Sequence, residues 1–479
     1  MNRNWKSLYP EAFSYEIEIP NWSVFQFSYY AIQRLGGIVV PTNPMFQVME
    51  LDHILRSSEA KWIICHQEQK QMLEKIQLLD NLTVIFATGS KDQGEHLFQW
   101  IVEGEGEIPP MDFDPKERIS VLQYTGGTTG FPKGAMITHY NKIVNTFQYA
   151  ELVKGILEPG NERVLGTSPV YHAMGLGALN RSVYFATTYI AIPNFKATQA
   201  LDLIRKYRPT VYTGSPTMFI GLLRNPDLKD DDLTCIKLGA SGAAPMPVEV
   251  INEFEKKSGA FVIEAYGMTE ATAFAAAIQD PRNRQAGSVG LPSPLTDIKI
   301  VDLTSRETDL PPGKSGEVAI KGPQIMKGYW KQPSETADAI REGWFYTGDI
   351  GMMDKNGLLY INGRVKEMII SGGFNIYPAE VEQVMYQHPA LQEVCVYGVP
   401  DGVRGENVKA VIVLKEGEHV STEEIIEWCC VRITRYKVPR IIEFREELPK
   451  TQVGKILRRK LIEEDHKRSA AALMNSKGT

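Results

Sequence analysis

The sequence predicts a mixed α/β protein of more than one folded unit, on three observations: its length, an alternation of strand-like and helical runs through its middle, and two changes of texture towards its C-terminus. At 479 residues the chain exceeds what one hydrophobic core usually organises, and 43% hydrophobic with 23% charged residues is the composition of an ordinary globular protein. The first strong local signal starts at Ile119. From there to Tyr124 the chain is apolar and partly β-branched, which suits a buried strand; a Gly/Thr loop follows, and Thr138 precedes a helical stretch to about Val153. Strand-like runs at Val211–Thr213, Ile236–Leu238 and Val262–Glu264 then alternate with helical ones at Ala197–Tyr207 and Pro247–Lys257. This is the pattern of a layered α/β domain, whose ligand loops gather at the carboxyl ends of the strands. From about Gly287 the strands become short and punctuated by Pro and Gly, as in GSVGLPSP and LPPGKSGEVAI, predicting a smaller β-rich subdomain over 287–363. Beyond Gly363, helix Pro378–Tyr386, strands Glu393–Val399 and Val408–Leu414, and helix Thr422–Ile433 predict a compact α+β unit. The expected division is a large domain over residues 1–363 and a small one over 364–479.

The formal net charge of -6 gives no electrostatic reason to expect nucleic-acid binding. Only Lys455 to Lys460 is locally basic, and by itself such a run reads as a solvated face. The five cysteines, Cys65, Cys235, Cys395, Cys429 and Cys430, are scattered with neither a disulfide framework nor zinc-ligand spacing, which fits a reducing compartment. The first residues lack an apolar core of signal-peptide length, and no apolar run approaches the ~20 residues that span a bilayer. A cytoplasmic location without a transmembrane segment is the expectation; peripheral membrane contact and a homodimer stay open.

The segment from Tyr124 through TGGTTGFPKG carries the clearest chemistry. Gly126, Gly127 and Gly130 let backbone N–H groups approach an anion, Thr125, Thr128 and Thr129 add hydroxyl donors, and Lys133 adds charge, a combination suited to polyphosphate. Because Lys133 follows a proline, the string departs from the GxxxxGK[ST] loop and implies a different nucleotide geometry. TGGTTGFPKG resembles the signature of the adenylate-forming superfamily of acyl- and aryl-CoA synthetases, luciferases and peptide-synthetase adenylation domains. Further motifs stand in that family's order: Tyr171-His172 in SPVYHAMG, SGAAP at Ser241–Pro245, YGMTE at Tyr266–Glu270, YTGD at Tyr346–Asp349, then GRVKEMIISGGFNIYPAEVE from Gly363 and PKTQVGKILRRKL from Pro449. The resemblance implies a β-barrel-like form for the subdomain at 287–363 and a mobile C-terminal domain.

It also implies roles. ATP or AMP would be held by the glycine loop, by Tyr266 with Gly242 and Ala243 at the base, by Glu264 and Gly267, by Thr269 at the α-phosphate, and by Asp349 and Arg364 at the ribose. Tyr266 offers a face for adenine, although a tyrosine there reads equally as a core residue. Glu270, with Thr125, would hold Mg²⁺, whose preferred ligands are oxygens; alone, a Thr-Glu pair reads as a helix cap. His172 would gate the acyl pocket, whereas a lone histidine among aromatic and small residues reads as a structural group. Lys455 would bind the substrate carboxylate and α-phosphate during adenylation. Lys366 would be the hinge about which the small domain turns, bringing Ser371, Gly372 and Gly373 to the coenzyme A side.

The resemblance is strongest to medium- and long-chain fatty-acid CoA ligases, through VVPTNPM, SGAAPMPVEV and YGMTEATAFAAA. It implies formation of acyl-AMP and pyrophosphate, then acyl-CoA and AMP, with ATP and coenzyme A as substrates. Aryl-CoA ligation and acyl-AMP ligation onto a carrier protein use the same motifs. The segment before Ile19 is some sixty residues shorter than is usual in the family, so a catalytically impaired acyl- or nucleotide-binding relative is the alternative of another class.

Overall fold

The computed structural model describes residues 14–18, 23–76, 82–87, 97, 111–125, 132–280, 284–372, 374–451 and 454–476. Four sheets carry the mixed α/β fold. The first contains β1 (Ser14–Glu18), β2 (Ile38–Pro41), β3 (Ala60–Cys65), β4 (Thr83–Phe86), β5 (Ile119–Thr125) and β6 (Lys133–Thr138) in the order β4-β3-β1-β2-β5-β6. Its pairings are parallel except at β5 and β6, which form an antiparallel ribbon. The helix Ser23–Arg34 lays Phe25, Tyr29 and Ile32 against Val39, Val121 and Ile137, and these side chains are almost wholly withdrawn from water.

The second sheet is built from β7 (Arg163–Gly166), β8 (Thr188–Ala191), β9 (Val211–Gly214), β10 (Leu238–Ser241), β11 (Phe261–Tyr266), β12 (Ala276–Ala277) and β13 (Leu291–Pro292). Its order is β13-β12-β11-β10-β9-β7-β8, and β7 to β11 are mutually parallel. Helices Ala197–Tyr207, Pro216–Leu223 and Val248–Ser258 bury Leu201, Ile204, Phe219, Leu222, Ile251 and Phe254 in one core, with Tyr212, Phe219 and Phe254 in mutual aromatic contact. The helix Ala197–Tyr207 follows the predicted bounds because its apolar residues recur at helical spacing and its last turn holds Arg205 and Lys206, which complement the helix dipole. Ser241 of β10 pairs with Glu264 of β11, so the SGAAP and YGMTE motifs leave the sheet from neighbouring carboxyl ends.

An antiparallel sheet stands where the Pro/Gly texture predicted a β-rich unit. It comprises β14 (Asp297–Val301), β15 (Ser315–Lys321), β16 (Ile340–Arg341), β17 (Trp344–Met353) and β18 (Leu359–Arg364), in the order β14-β15-β17-β16 with β18 also on β17. The last sheet comprises β19 (Ile369–Ser371), β20 (Phe374–Ile376), β21 (Leu391–Asp401), β22 (Gly405–Leu414) and β23 (Ile441–Phe444), and has its own core of Ile376, Val381, Met385, Val394, Val396, Ala410 and Ile412. The helix Pro378–Tyr386 that packs there begins with proline at its first position, where no N–H is needed. Among the described residues, no helix is long and apolar enough to cross a membrane.

Candidate active site

Thr125 and Lys133 end the two strands that bracket the glycine loop, and they are register partners across β5 and β6. Gly126, Gly127, Thr128, Thr129 and Gly130 lie outside the described residues, as does Gly373. The ribbon nevertheless fixes where the loop departs and returns. Lys133 Nζ forms an ion pair with Glu335 and lies 5.2 Å from the centre of the Tyr329 ring. Tyr329 donates its hydroxyl to Glu270 Oε1 at 2.9 Å. A continuous set of contacts therefore joins the lysine of the loop to the carboxylate expected to hold a cation.

A second cluster forms on the strands of the third sheet. Asp349 and Arg364 are register partners across β17 and β18, and Arg364 Nε lies 3.0 Å from Asp349 Oδ1. The Tyr266 hydroxyl, arriving from the end of β11, donates to Asp349 Oδ2 at 2.7 Å. The turn itself is tied down: Thr347 donates its hydroxyl to the Val318 carbonyl and accepts from the Asp349 N–H at 3.0 Å. Burial pushes the Asp349 carboxyl above its usual range, while Arg364, the Tyr266 hydroxyl and Lys455 pull it back. Burial also raises the Glu270 carboxyl, which feels both Arg364 and Asp349, so the two clusters are electrostatically coupled.

Lys455 comes to the same charges from the far end of the chain. Its surface keeps solvent access, yet protein atoms crowd the ammonium, the arrangement of a group at a cleft mouth. That crowding, and then the Arg364 cation, lower its pKa, while Glu367 and Asp349 oppose the fall. The preceding Gly454 explains how the segment is seated. Its φ is +75°, and a Cβ there would lie 1.7 Å from Thr217 Oγ1, on the helix Pro216–Leu223. Only a glycine permits this approach.

The residues assigned to the nucleotide by the resemblance lie at and just beyond the ends of β10 and β11. Gly242 and Ala243 follow β10, and Ala243 takes φ +69°, an uncommon left-handed conformation for a residue with a side chain. Gly267 backs so closely on Ala273 that a Cβ would stand 2.1 Å from its carbonyl oxygen, and Thr269 opens the single turn Thr269–Ala271. Glu264 accepts from the Met246 N–H at 3.2 Å, and burial pushes its carboxyl up to about 7, with Arg284 opposing. Between the unfolded value near 4.5 and the folded value near 7 the native state holds the extra proton, so this group's stability contribution is lost as pH rises through that window. Glu264→Gln is therefore expected to raise the melting temperature at pH 8 and to lose that advantage by about pH 5. Thermal melts across that range check it.

His172 stands at the N-cap of helix Ala173–Tyr184 with its ring 4.9 Å from Tyr171. Burial lowers its pKa to about 4, so the imidazole is neutral near pH 7 and acts as an aromatic body rather than a cation. On the expected coenzyme A side, Lys366 lies in the turn Val365–Glu367. Ser371 is buried opposite Gly405, and the Gly372 N–H donates to the Arg404 carbonyl at 2.8 Å. These contacts of Ser371 and Gly372 lie within the fourth sheet, not in the Asp349 cluster.

Sequence reasoning missed Tyr329, Glu335, Glu367 and Arg458. Tyr329 lies in KGYW, which was legible only as strand and turn texture. Arg458 forms an ion pair with Glu367, places Nη2 2.8 Å from Glu382 Oε1 and donates Nε to the Val396 carbonyl, bracing the Lys455 segment against the turn after Arg364.

Residues 17–330 match the model of the AMP-binding enzyme family, and residues 380–455 that of the AMP-binding enzyme C-terminal domain. The chain belongs to the AMP-binding enzyme family. This AMP-binding enzyme is 42% identical to the long-chain-fatty-acid–CoA ligase of Bacillus subtilis (strain 168), over 94% of this chain and 85% of that protein. It is 35% identical to the long-chain-fatty-acid–CoA ligase of Escherichia coli O6:H1, over 93% and 84%. Among solved structures, ATP-bound MatB from Rhodopseudomonas palustris superposes with a TM-score of 0.87 at 29% identity, covering 95% of this enzyme and 89% of that chain. A large N-terminal and a small C-terminal domain characterise the family.

Proposed function

We propose that this enzyme condenses a carboxylic acid of the fatty-acid class with ATP to give acyl-AMP and pyrophosphate, then transfers the acyl group to coenzyme A. What supports this reading is that the charges of Lys455, Arg364, Asp349 and Glu270 bear on one another while Tyr266 bonds to Asp349 and Tyr329 joins Glu270 to Lys133. Adenine stacks on Tyr266, its base edge lies along Gly242 and Ala243, and the ribose hydroxyls meet Asp349 and Arg364. Lys455 holds the attacking carboxylate against the α-phosphate and opposes the charge that builds up as oxygen meets phosphorus. Thr125, the loop amides and Lys133, released from Glu335, position the departing pyrophosphate. The chemistry needs positioning and charge and no covalent intermediate on the protein.

Mg²⁺ fits the residues present. The Glu270 carboxylate accepts from the Tyr329 hydroxyl, and its oxygen atoms, with the Thr125 hydroxyl at the end of β5, are the ligand type magnesium prefers. Among the described residues there is no group of three or more His, Cys, Asp or Glu side chains that could hold a metal by themselves. When bound, the magnesium ion would neutralise charge on the phosphates.

Between the two steps the C-terminal domain, residues 364–479, turns about Lys366. Lys455 then leaves the cleft and the Ser371–Gly373 segment lines the thiol's approach, where glycine leaves room beside the backbone. Incubation of the purified chain with ATP, coenzyme A and a panel of acids tests the function: acyl-CoA, AMP and pyrophosphate are expected in equal amounts. Acyl-AMP that reacts only with a carrier protein, or aryl acids preferred throughout, would replace the acceptor or substrate. No ATP-dependent product with any acid would identify a catalytically impaired relative.

A further inference from the structure

The stretch from Met326 to Trp330 is tied by its backbone to both halves of the phosphate site. The Met326 N–H donates to the Glu270 carbonyl at 2.8 Å. Beyond it the chain runs beside β6, the strand that returns from the glycine loop. Lys327 donates to the Met136 carbonyl, Met136 to that of Gly328 and Trp330 to that of Gly134, at 2.8–2.9 Å, with Tyr329 opposite Ala135. The Trp330 indole N–H donates to the Ser57 carbonyl at 3.1 Å, and the Tyr329 N–H to Thr336 Oγ1 at 2.9 Å. The backbone at Tyr329 is therefore set by bonds on both sides of it.

From that fixed backbone the Tyr329 side chain meets one charged group of each half. Its hydroxyl donates to Glu270 Oε1 at 2.9 Å, and Lys133 Nζ stands over its ring, 5.2 Å from the centre. A hydroxyl bonds more strongly when its acceptor is ionised, and a ring face attracts an ammonium, so one side chain holds an anion at its tip and a cation over its face. Lys133 carries its charge on a long flexible stem, and its ion-pair partner is Glu335 on the helix Pro333–Ala339.

We propose that Tyr329 is a positioning residue for both charges: its hydroxyl sets the Glu270 carboxylate for a magnesium ion, and its ring keeps Lys133 beside the triphosphate once the ammonium leaves Glu335. The proposal rests on reading Glu270 as the cation's ligand and the glycine loop as the triphosphate site. The two roles separate by chemistry, because Tyr329→Phe keeps the ring and loses the hydroxyl, whereas Tyr329→Leu loses both.

Calorimetric titration of the purified chain with α,β-methylene ATP in EDTA, and then of the enzyme–analogue complex with Mg²⁺, tests it without turnover. Tyr329→Phe is expected to bind the analogue in EDTA within about twofold of the native chain and to raise the Mg²⁺ Kd by about tenfold or more, the usual loss when the partner that orients a metal ligand is removed. Tyr329→Leu should in addition weaken the analogue in EDTA by about two- to fivefold, the size of a cation–ring contact open to solvent. In a Glu270→Ala background, Tyr329→Phe should raise the Mg²⁺ Kd no further, because the hydroxyl acts through that carboxylate. A Mg²⁺ Kd unchanged in folded Tyr329→Phe, or a loss fully additive with Glu270→Ala, would overturn the proposal; should Tyr329→Phe not fold, the same outcomes in Tyr329→Leu would do so. A Mg²⁺ Kd indifferent to Glu270→Ala would overturn the cation reading beneath it, and no binding of the analogue to the native chain would overturn the triphosphate site itself.

Discussion

Lys455→Ala is expected to reduce acid-dependent pyrophosphate exchange by about 10²–10³-fold, the usual loss when one preorganised charge donor is removed from a reacting centre. Thioester formation from supplied acyl-AMP should stay largely intact, because the proposed turn about Lys366 takes the ammonium away before the second step. The division follows from the position of Lys455, crowded beside Arg364 and Asp349 yet attached to a segment of the fourth sheet's unit. Equal loss of both half-reactions would place Lys455 in both steps and contradict the account.

Gly454→Ala is expected to impair the same half-reaction without touching a charge. The left-handed backbone costs a residue with a side chain roughly 1–2 kcal/mol. The added Cβ would also stand 1.7 Å from Thr217 Oγ1, so the Lys455 segment could not keep its present seat. Adenylation should fall by at least about tenfold, the kinetic equivalent of ~1.4 kcal/mol. Paired half-reaction assays, with Thr217→Ala added to relieve the contact, check it. Partial recovery in the double variant is expected; a slow single variant indifferent to residue 217 would show that docking against Thr217 is not what positions Lys455.

Much of the fold was legible because local chemistry and tertiary packing agree. Pro378 starts a helix, Ser421 caps another by accepting the Glu424 N–H, and Thr138 does the same for the helix after the loop ribbon. The departures have physical causes. Ile236 read as the start of a strand, but it closes the single turn Asp232–Cys235 and buries its side chain from there, so β10 runs from Leu238 to Ser241. The helix from Thr422 ends at Cys430, short of Ile433, where Val431 turns the chain and Arg432 lies 3.4 Å over the Trp428 ring. Hydrophobicity marks burial, and burial is shared by turns and elements alike.

The site divides in the same way. Tyr266, Asp349, Arg364, Glu270 and Lys455 were named as candidates because each sits in a motif that resembles the family's; taken alone, Tyr266 reads equally as a core residue and Lys455 as part of a solvated face. Tyr329, Glu335 and Arg458 were not, since what they do depends on partners far away in sequence: Tyr329 on Glu270, Glu335 on Lys133, Arg458 on Glu367 and Glu382.

The most direct test is a crystal structure with a non-hydrolysable acyl-sulfamoyl adenosine. The account predicts adenine against the Tyr266 ring, ribose hydroxyls on Asp349, and Lys455 Nζ within hydrogen-bond distance of the sulfamate that replaces the phosphate. Adenosine bound elsewhere, or a sulfamate met by the glycine loop while Lys455 stays apart from it, would contradict the claim that the two ends of the chain act on one reacting pair.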